Sequence, residues 1–193
     1  MKNNLTFPPS ASIGASGEHL VLSNLLKLDY IAGLAPYNTK DYDLIVSSSD
    51  GSQQVNIQVK TALHTVKTSN FSKLKWILSE KCEVMKDNLI YSFVYFSQES
   101  NFYKIYNLPS KKVSEFITMS NQIYIKLPKP NGDLHKNTSM RVLAADAFLD
   151  ITAKHNRDSL KDLLLKDELV FLEKYRYGWM DKFEDDWNLF ELI

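Results

Sequence analysis

Several absences narrow the possibilities before any motif is read. A single cysteine, Cys82, stands in 193 residues, so no disulfide closes within the chain and no cysteine cluster holds zinc. Glycine is sparse, at six residues, and Gly14-Ala-Ser-Gly17 lacks the lysine that a phosphate-cradling loop requires. There is no apolar run of membrane-spanning length, and the first residues show no charged-then-apolar pattern. Neither a membrane span nor secretion is expected, and a cytoplasmic location is. The four histidines have no ligand spacing, and no Gly-x-Ser-x-Gly elbow offers an acyl-transfer nucleophile. Nothing calls for a small-molecule cofactor. No charge predominates, with 23 Lys and Arg against 23 Asp and Glu, which excludes a protein basic over its whole surface.

What is present is unevenly placed. Residues 1–60 carry four cationic against five acidic side chains, residues 61–141 twelve against six, and residues 142–193 seven against twelve. A basic middle segment suits a phosphate backbone, because nucleic-acid affinity is largely electrostatic. The same distribution also fits an ordinary solvated face. The length fits one ordinary domain or a domain with an extension, and we divide it into a core over 1–141 and an acidic helical extension over 142–193.

The organising stretch runs from Asp43 to Lys60. Leu44-Ile-Val and Val55-Asn-Ile-Gln-Val flank Asp50-Gly51, a pair that supplies the positive φ of a tight turn, so the spacing predicts a β-hairpin. Side chains on the second strand alternate, placing Gln58 and Lys60 on one face and Ile57 and Val59 on the other. Antiparallel pairing returns the start of the first strand to the end of the second, so Asp43, Gln58 and Lys60 converge. A carboxylate and an amide oxygen are ligands for a hard divalent cation, and an ammonium beside them can hold a water and offset charge on a phosphate. Upstream, a helix from about Ser12 to Leu28, capped by Ser12, carries Val21, Leu22 and Leu25 on one stripe with Glu18. A carboxylate on an inward face is costly unless it is paired or binds a metal; pairing with Lys60 would also satisfy it. Gly14 and Gly17 suggest close approach of this helix to the sheet. His19 projects elsewhere around the helix.

The Asp…Gln-x-Lys arrangement, with Gly17-Glu18 upstream, resembles the PD-(D/E)XK nuclease superfamily, specifically its Gln-x-Lys branch of resolvase-like and restriction-type endonucleases. The resemblance covers roughly residues 12–118, with motif matches at Gly17-Glu18, Asp43 and Gln58-Val59-Lys60. It implies an α/β (α+β) restriction-endonuclease-like fold, a mixed sheet flanked by helices, here with a helical C-terminal extension. It implies magnesium or manganese held by Asp43, Gln58, the Val59 carbonyl and Glu18, with Lys60 completing the catalytic set, and double-stranded DNA as substrate, commonly cut by a homodimer. Gln58 departs from the usual acidic residue and removes one negative charge from the cation site. Asp43 is chosen over Asp41 because only Asp43 abuts the apolar strand. Two other classes remain: an inactive nuclease-fold module that grips nucleic acid, and an immunity or inhibitor-type protein that binds a partner through its acidic end.

Elsewhere, Tyr30–Ala35 and Lys75–Leu78 read as short strands, Ser79–Lys86 as a short helix, Leu89–Phe96 as a strand buried on both faces, and Asn101–Asn107 as its hairpin partner. A helix begins at Ser110 with Val113, Phe116 and Ile117 inward. Lys67, Lys73 and Lys75 beside the site, and Lys111 and Lys112 in the first helical turn, are candidate phosphate contacts. His64 reads as a solvated loop residue. Residues 121–140 read as an edge strand at Tyr124–Leu127 followed by a loop. Helices are predicted from about Ala144, with Ala147, Phe148 and Ile151 on one face, and over Ser159–Tyr175, with Asp158 as cap. The aromatics from Trp179 to Phe190 read as core or dimer-seam residues.

Overall fold

The computed structural model describes residues 8–64, 72–97, 102–152, 155 and 157–191. Helix α1 (Ser10–Lys27) is followed by strands β1 (Ile31–Leu34), β2 (Leu44–Ser47), β3 (Gln54–His64), β4 (Lys75–Ser79), β5 (Leu89–Ser97) and β6 (Tyr103–Pro109). Then come helix α2 (Ser110–Lys126), strand β7 (Met140–Ala144) and helices α3 (Ala147–Thr152), α4 (Arg157–Leu163) and α5 (Lys166–Lys174). A five-stranded sheet has the order β1-β2-β3-β5-β6, and β4 pairs with β7 in a separate ribbon. The β3–β5 pair is parallel and the others in the sheet are antiparallel. This is the expected mixed sheet flanked by helices, with a helical C-terminal region.

The alternation along β3 divides the core. Val55, Ile57 and Val59 join Val21 and Leu25 of α1 and Leu44 and Val46 of β2 in an aliphatic cluster. The opposite face, through Tyr91, Phe93 and Tyr95 of β5, meets Trp76 and Leu78 of the ribbon, Phe116 of α2 and Phe171 of α5 in a larger, aromatic cluster. Phe116 is stacked on Trp179, with ring centroids 5.1 Å apart and an interplanar angle of 13°. Its edge contact with Tyr175 is also 5.1 Å. The late aromatics are thus core residues: Phe183 lies in the same cluster, while Trp187 and Phe190 pack on the aliphatic one.

Boundaries differ from the sequence reading in places with identifiable causes. Pro9, not Ser12, precedes α1, and Ser12 lies inside its first turn. The hairpin closes through Ser48–Gln53 rather than a two-residue turn: Ser47 pairs with Gln54, and Gly51 has φ of 71°. Asp50 organises that loop, accepting hydrogen bonds from Ser48 Oγ, Ser52 N and Ser52 Oγ at 2.6, 3.0 and 2.8 Å. The hydroxyl of Ser48 is the main cause of its pKa falling to about 2. The segment after Ser79 is a short 3-10 turn over Glu80–Glu83, and His64 is the last residue of β3, not a loop residue.

The predicted edge strand at Tyr124–Leu127 is instead the end of α2 and its C-cap. Ser120 and Ile123 continue the buried stripe of Val113, Phe116 and Ile117, and that burial outweighs the β propensity of Ile-Tyr-Ile. Pro128 stops the helix by forcing Leu127 to an extended ψ of 135°. Strand β7, unpredicted, includes residue 141. Its buried Arg141 bonds to Glu83 and to the Thr138 and Met140 carbonyls, so a cation occupies an inward position and disguises the alternation. The predicted helix over Ser159–Tyr175 is broken in two by the extended Leu165, whose N–H donates to Glu168 Oε2 at 2.8 Å. Glu168 is buried and pairs with Lys126 of α2.

Candidate active site

The site begins where β2 is too short for its partner. Leu44 pairs with Ile57 as the first residue of β2, while β3 continues to His64. Among the described residues, the β2-side edge of β3 therefore lacks a strand partner beyond Ile57. Asp43 occupies that opening: its N–H donates to the Ile57 carbonyl at 2.7 Å, and its Oδ2 accepts the Val59 N–H at 2.7 Å. One carboxylate oxygen thus satisfies a strand N–H, and among the described residues no hydrogen bond engages Oδ1. On an extended strand the N–H and C=O of one residue point the same way, so the Val59 carbonyl is directed to the same open edge.

Gln58 and Lys60 flank Val59 on the other face, each half-buried. In the parallel ladder they pair with Tyr91 and Phe93. Among the described residues no carboxylate lies within ion-pair distance of Lys60, so its ammonium can act on a ligand. Asp41, by contrast, is exposed and forms an ion pair with Lys86 at 3.2 Å.

Glu18 arrives from α1. The reason is Gly17: a Cβ there would lie 1.9 Å from Thr61 Oγ1, so only glycine lets the helix press onto β3 at the level of Lys60. Gly14 has no neighbour within 4 Å of its Cβ position, and the suggested close approach does not extend to it. Burial, and then the Asp43 carboxylate, push the Glu18 pKa above the usual carboxylate range, while His19 and Lys60 pull it down. Asp43 and Lys60 both therefore lie within electrostatic reach of Glu18. His19 is exposed.

These oxygens suit a hard divalent cation: the free Oδ1 of Asp43, the Glu18 carboxylate, the Gln58 amide oxygen and the Val59 carbonyl. Two carboxylates repelling each other in a half-buried notch are relieved by a cation. Among the described residues no three His, Cys, Asp or Glu side chains cluster, so the set depends on neutral carbonyls beside the two acids.

The candidate phosphate contacts are dispersed. Lys67 lies outside the described residues. Lys73 is exposed just before β4, and Lys75 on β4 pairs with Asp150 at 3.3 Å. Lys111 is exposed, and Lys112 pairs with Glu115 at 3.2 Å. One cation escaped the sequence reading. The backbone N–H of Lys86 donates to Ser110 Oγ at 2.9 Å and its Nζ pairs with Asp41 at 3.2 Å, so it joins the start of α2 to the loop that carries Asp41. Both contacts are long-range, and nothing local singles it out among the many lysines.

No protein-family model matches the chain, and no curated protein matches it. Solved structures do. The chain is similar to the bacterial homing endonuclease I-Ssp6803I, at 16% identity over 55% of this chain and 70% of the other, with a TM-score of 0.39. It is also similar to Hjc, a Holliday junction resolvase of the archaeal hyperthermophile Archaeoglobus fulgidus, at 10% identity over 79% of this chain and 98% of the other, again with a TM-score of 0.39. Among the described residues no helix is long and apolar enough to cross a membrane.

Proposed function

We propose that the protein is a metal-dependent endonuclease that hydrolyses DNA phosphodiester bonds in the notch at the open edge of β3. The observation that carries this reading is the Asp43 carboxylate fixed on the Val59 N–H between Gln58 and Lys60, with Glu18 brought close enough to feel its charge. Two acids, two carbonyls and an unpaired ammonium are what phosphodiester hydrolysis needs at one point.

Asp43, Glu18, the Gln58 side-chain oxygen and the Val59 carbonyl would hold magnesium or manganese. The ion, when bound, polarises a phosphate oxygen and lowers the pKa of a bound water. The Val59 N–H fixes the rotamer of Asp43, so the carboxylate need not reorganise on binding. The Lys60 ammonium donates a hydrogen bond to the attacking water and offsets the charge that grows on the phosphate as the water oxygen bonds to phosphorus and the bond to the leaving sugar oxygen breaks; the water's proton passes to solvent, and the leaving oxygen takes one from solvent. With Gln58 neutral, Glu18 supplies the second negative charge. Double-stranded DNA is positioned through its backbone by Lys67, Lys73 and Lys111, while Lys75 and Lys112, expected as contacts, are tied to Asp150 and Glu115, and a homodimer cuts both strands. Functionally, residues 1–141 carry the chemistry, and residues 142–193 support them or contribute to the dimer.

Nicking of supercoiled plasmid tests the reading. Cleavage that requires magnesium or manganese and is lost in both Lys60→Ala and Asp43→Ala is expected. A wild-type protein that binds plasmid but cuts it with neither metal would favour the inactive nucleic-acid-binding module instead.

A further inference from the structure

A second concavity lies on the far side of the β4–β7 ribbon from Lys60. Trp76 and Leu78 of the ribbon face the main sheet, whereas Lys75, Met140 and Val142 line a cleft of about 480 Å³ closed by α2 and the loop that follows it. We propose that this cleft binds a nucleoside phosphate, either free or as an unpaired nucleotide of a nucleic-acid strand. The inference does not rest on the nuclease reading.

Charge is the first argument. Of the cleft's cations, Lys75 is matched by Asp150 and Arg141 by Glu83. Lys129 and Lys136 also line the cleft, and among the described residues neither has a carboxylate partner. Two unneutralised ammonium groups on a concave wall attract a phosphate.

A pair of rings is the second argument. Tyr124 and His135 line the same cleft as a tilted pair, their ring centroids 4.0 Å apart at an interplanar angle of 30°. Tyr124 is 43% exposed, so a planar base can lie against its ring. Asn121 donates to Asn137 Oδ1 at 3.3 Å, and it stands with Thr138 on the cleft wall, offering an amide and a hydroxyl to a base edge.

The loop is also held in shape. Pro128 bridges Leu134, Lys129 N–H donates to Asp133 O at 2.7 Å, and Gly132 N–H donates to Lys129 O at 2.9 Å. Such preorganisation lowers the ordering cost of binding. The volume lies within the usual range for small-ligand sites and is too small for a duplex. An acidic peptide would use the lysines but leave the rings idle.

Anisotropy of a short labelled single-stranded oligonucleotide, measured in EDTA with the full chain, tests the inference without metal or turnover. Lys129→Gln combined with Lys136→Gln should weaken binding by about tenfold, and Tyr124→Leu by about fivefold. The charge-matched control Lys27→Gln with Lys166→Gln should weaken it less, and all variants should melt like the wild type. Thymidine monophosphate should compete, and inorganic phosphate at equal concentration should not. An oligonucleotide bound far more tightly than the monophosphate assigns the cleft to a strand; comparable affinities assign it to a free nucleotide, and either supports the inference. Binding indifferent to the lysine pair or to Tyr124, no binding of either probe, or competition by phosphate or polyglutamate as strong as by the monophosphate overturns it. Asp43→Ala should bind as the wild type does, so loss of cleavage and loss of cleft binding are separable.

Discussion

The two faces of the five-stranded sheet are covered in different ways. On one, α1 lies on a mainly aliphatic cluster, joined at its edge by Leu189, Trp187 and Phe190 of the C-terminal segment. On the other, the ribbon, α2 and the C-terminal helices bury a continuous run of rings. The aromatic face holds most of the packing, and the candidate residues divide between the faces: Glu18 comes from the helix side, while Gln58 and Lys60 lie on the ribbon side of β3. The proposed site sits at the open edge of β3, before β2 begins. On the proposed function, stability and chemistry are built into different parts of the same strand, and substitutions should separate them.

The largest expected effect is on chemistry. Lys60→Ala and Asp43→Ala should each lower plasmid nicking by at least about a thousandfold; the thermal midpoint should hardly change in Lys60→Ala and should fall in Asp43→Ala, which leaves the Val59 N–H without its acceptor. A variant retaining a tenth of the wild-type rate would remove that residue from the mechanism.

On the aromatic face the effect should fall on folding. Phe116→Ala should cost about 3–5 kcal/mol in urea unfolding, because it deletes the ring on which Trp179 and Tyr175 pack. A double-mutant cycle with Trp179→Ala should show coupling of about 0.5–1.5 kcal/mol. Independent, additive losses would mean that the rings fill space without acting as a stack.

On the helix face a small addition is enough. Gly17→Ala should destabilise by about 1–3 kcal/mol, since its Cβ would meet Thr61 Oγ1 at 1.9 Å. Combining it with Thr61→Ala should recover part of the loss. If Gly17→Ala melts like the wild type, the close approach of α1 to β3 is not a constraint.

The smallest stability effect sharpens the role of Glu18. Its folded pKa is raised, so the contribution of its protonated form is fully present below the unfolded value and is lost as pH rises through the folded one. Without metal, Glu18→Gln should melt about a degree or two higher than wild type near neutral pH, an advantage that disappears on acidification. In calorimetric titration with manganese the same variant should be impaired nearly as much as Asp43→Asn. Wild-type affinity in Glu18→Gln would take this carboxylate out of the cation site.

Legibility in the sequence followed the range of the contacts. The hairpin that carries Asp43, Gln58 and Lys60 pairs segments within twenty residues of each other, and period-two alternation was enough to assign faces. The start of α2 and its inward Val113, Phe116 and Ile117 were legible for the same reason. The end of α2 was not, because Ile123 is helical through what it packs on rather than through propensity. Strand β7 was invisible because its partner β4 lies some sixty residues earlier and its inward Arg141 finds Glu83 only in the folded chain. The break between α4 and α5 depends on Glu168 turning back to Leu165 and pairing with Lys126. Lys75 and Lys112 looked free in the sequence, and their acidic partners appear only in three dimensions.

By itself, the sequence determined which side chains share a face: Gln58 with Lys60, Ile57 with Val59, and Glu18 with Val21 and Leu25, since these follow from the periods of strand and helix. The tertiary structure alone decided that β3 runs on to His64 beyond the start of β2, that Gly17 seats α1 against Thr61, and that the ribbon separates the notch from the Lys129–Lys136 cleft. Those outcomes depend on pairing and burial between distant segments, and local periodicity carries no information about which distant segment a face will meet.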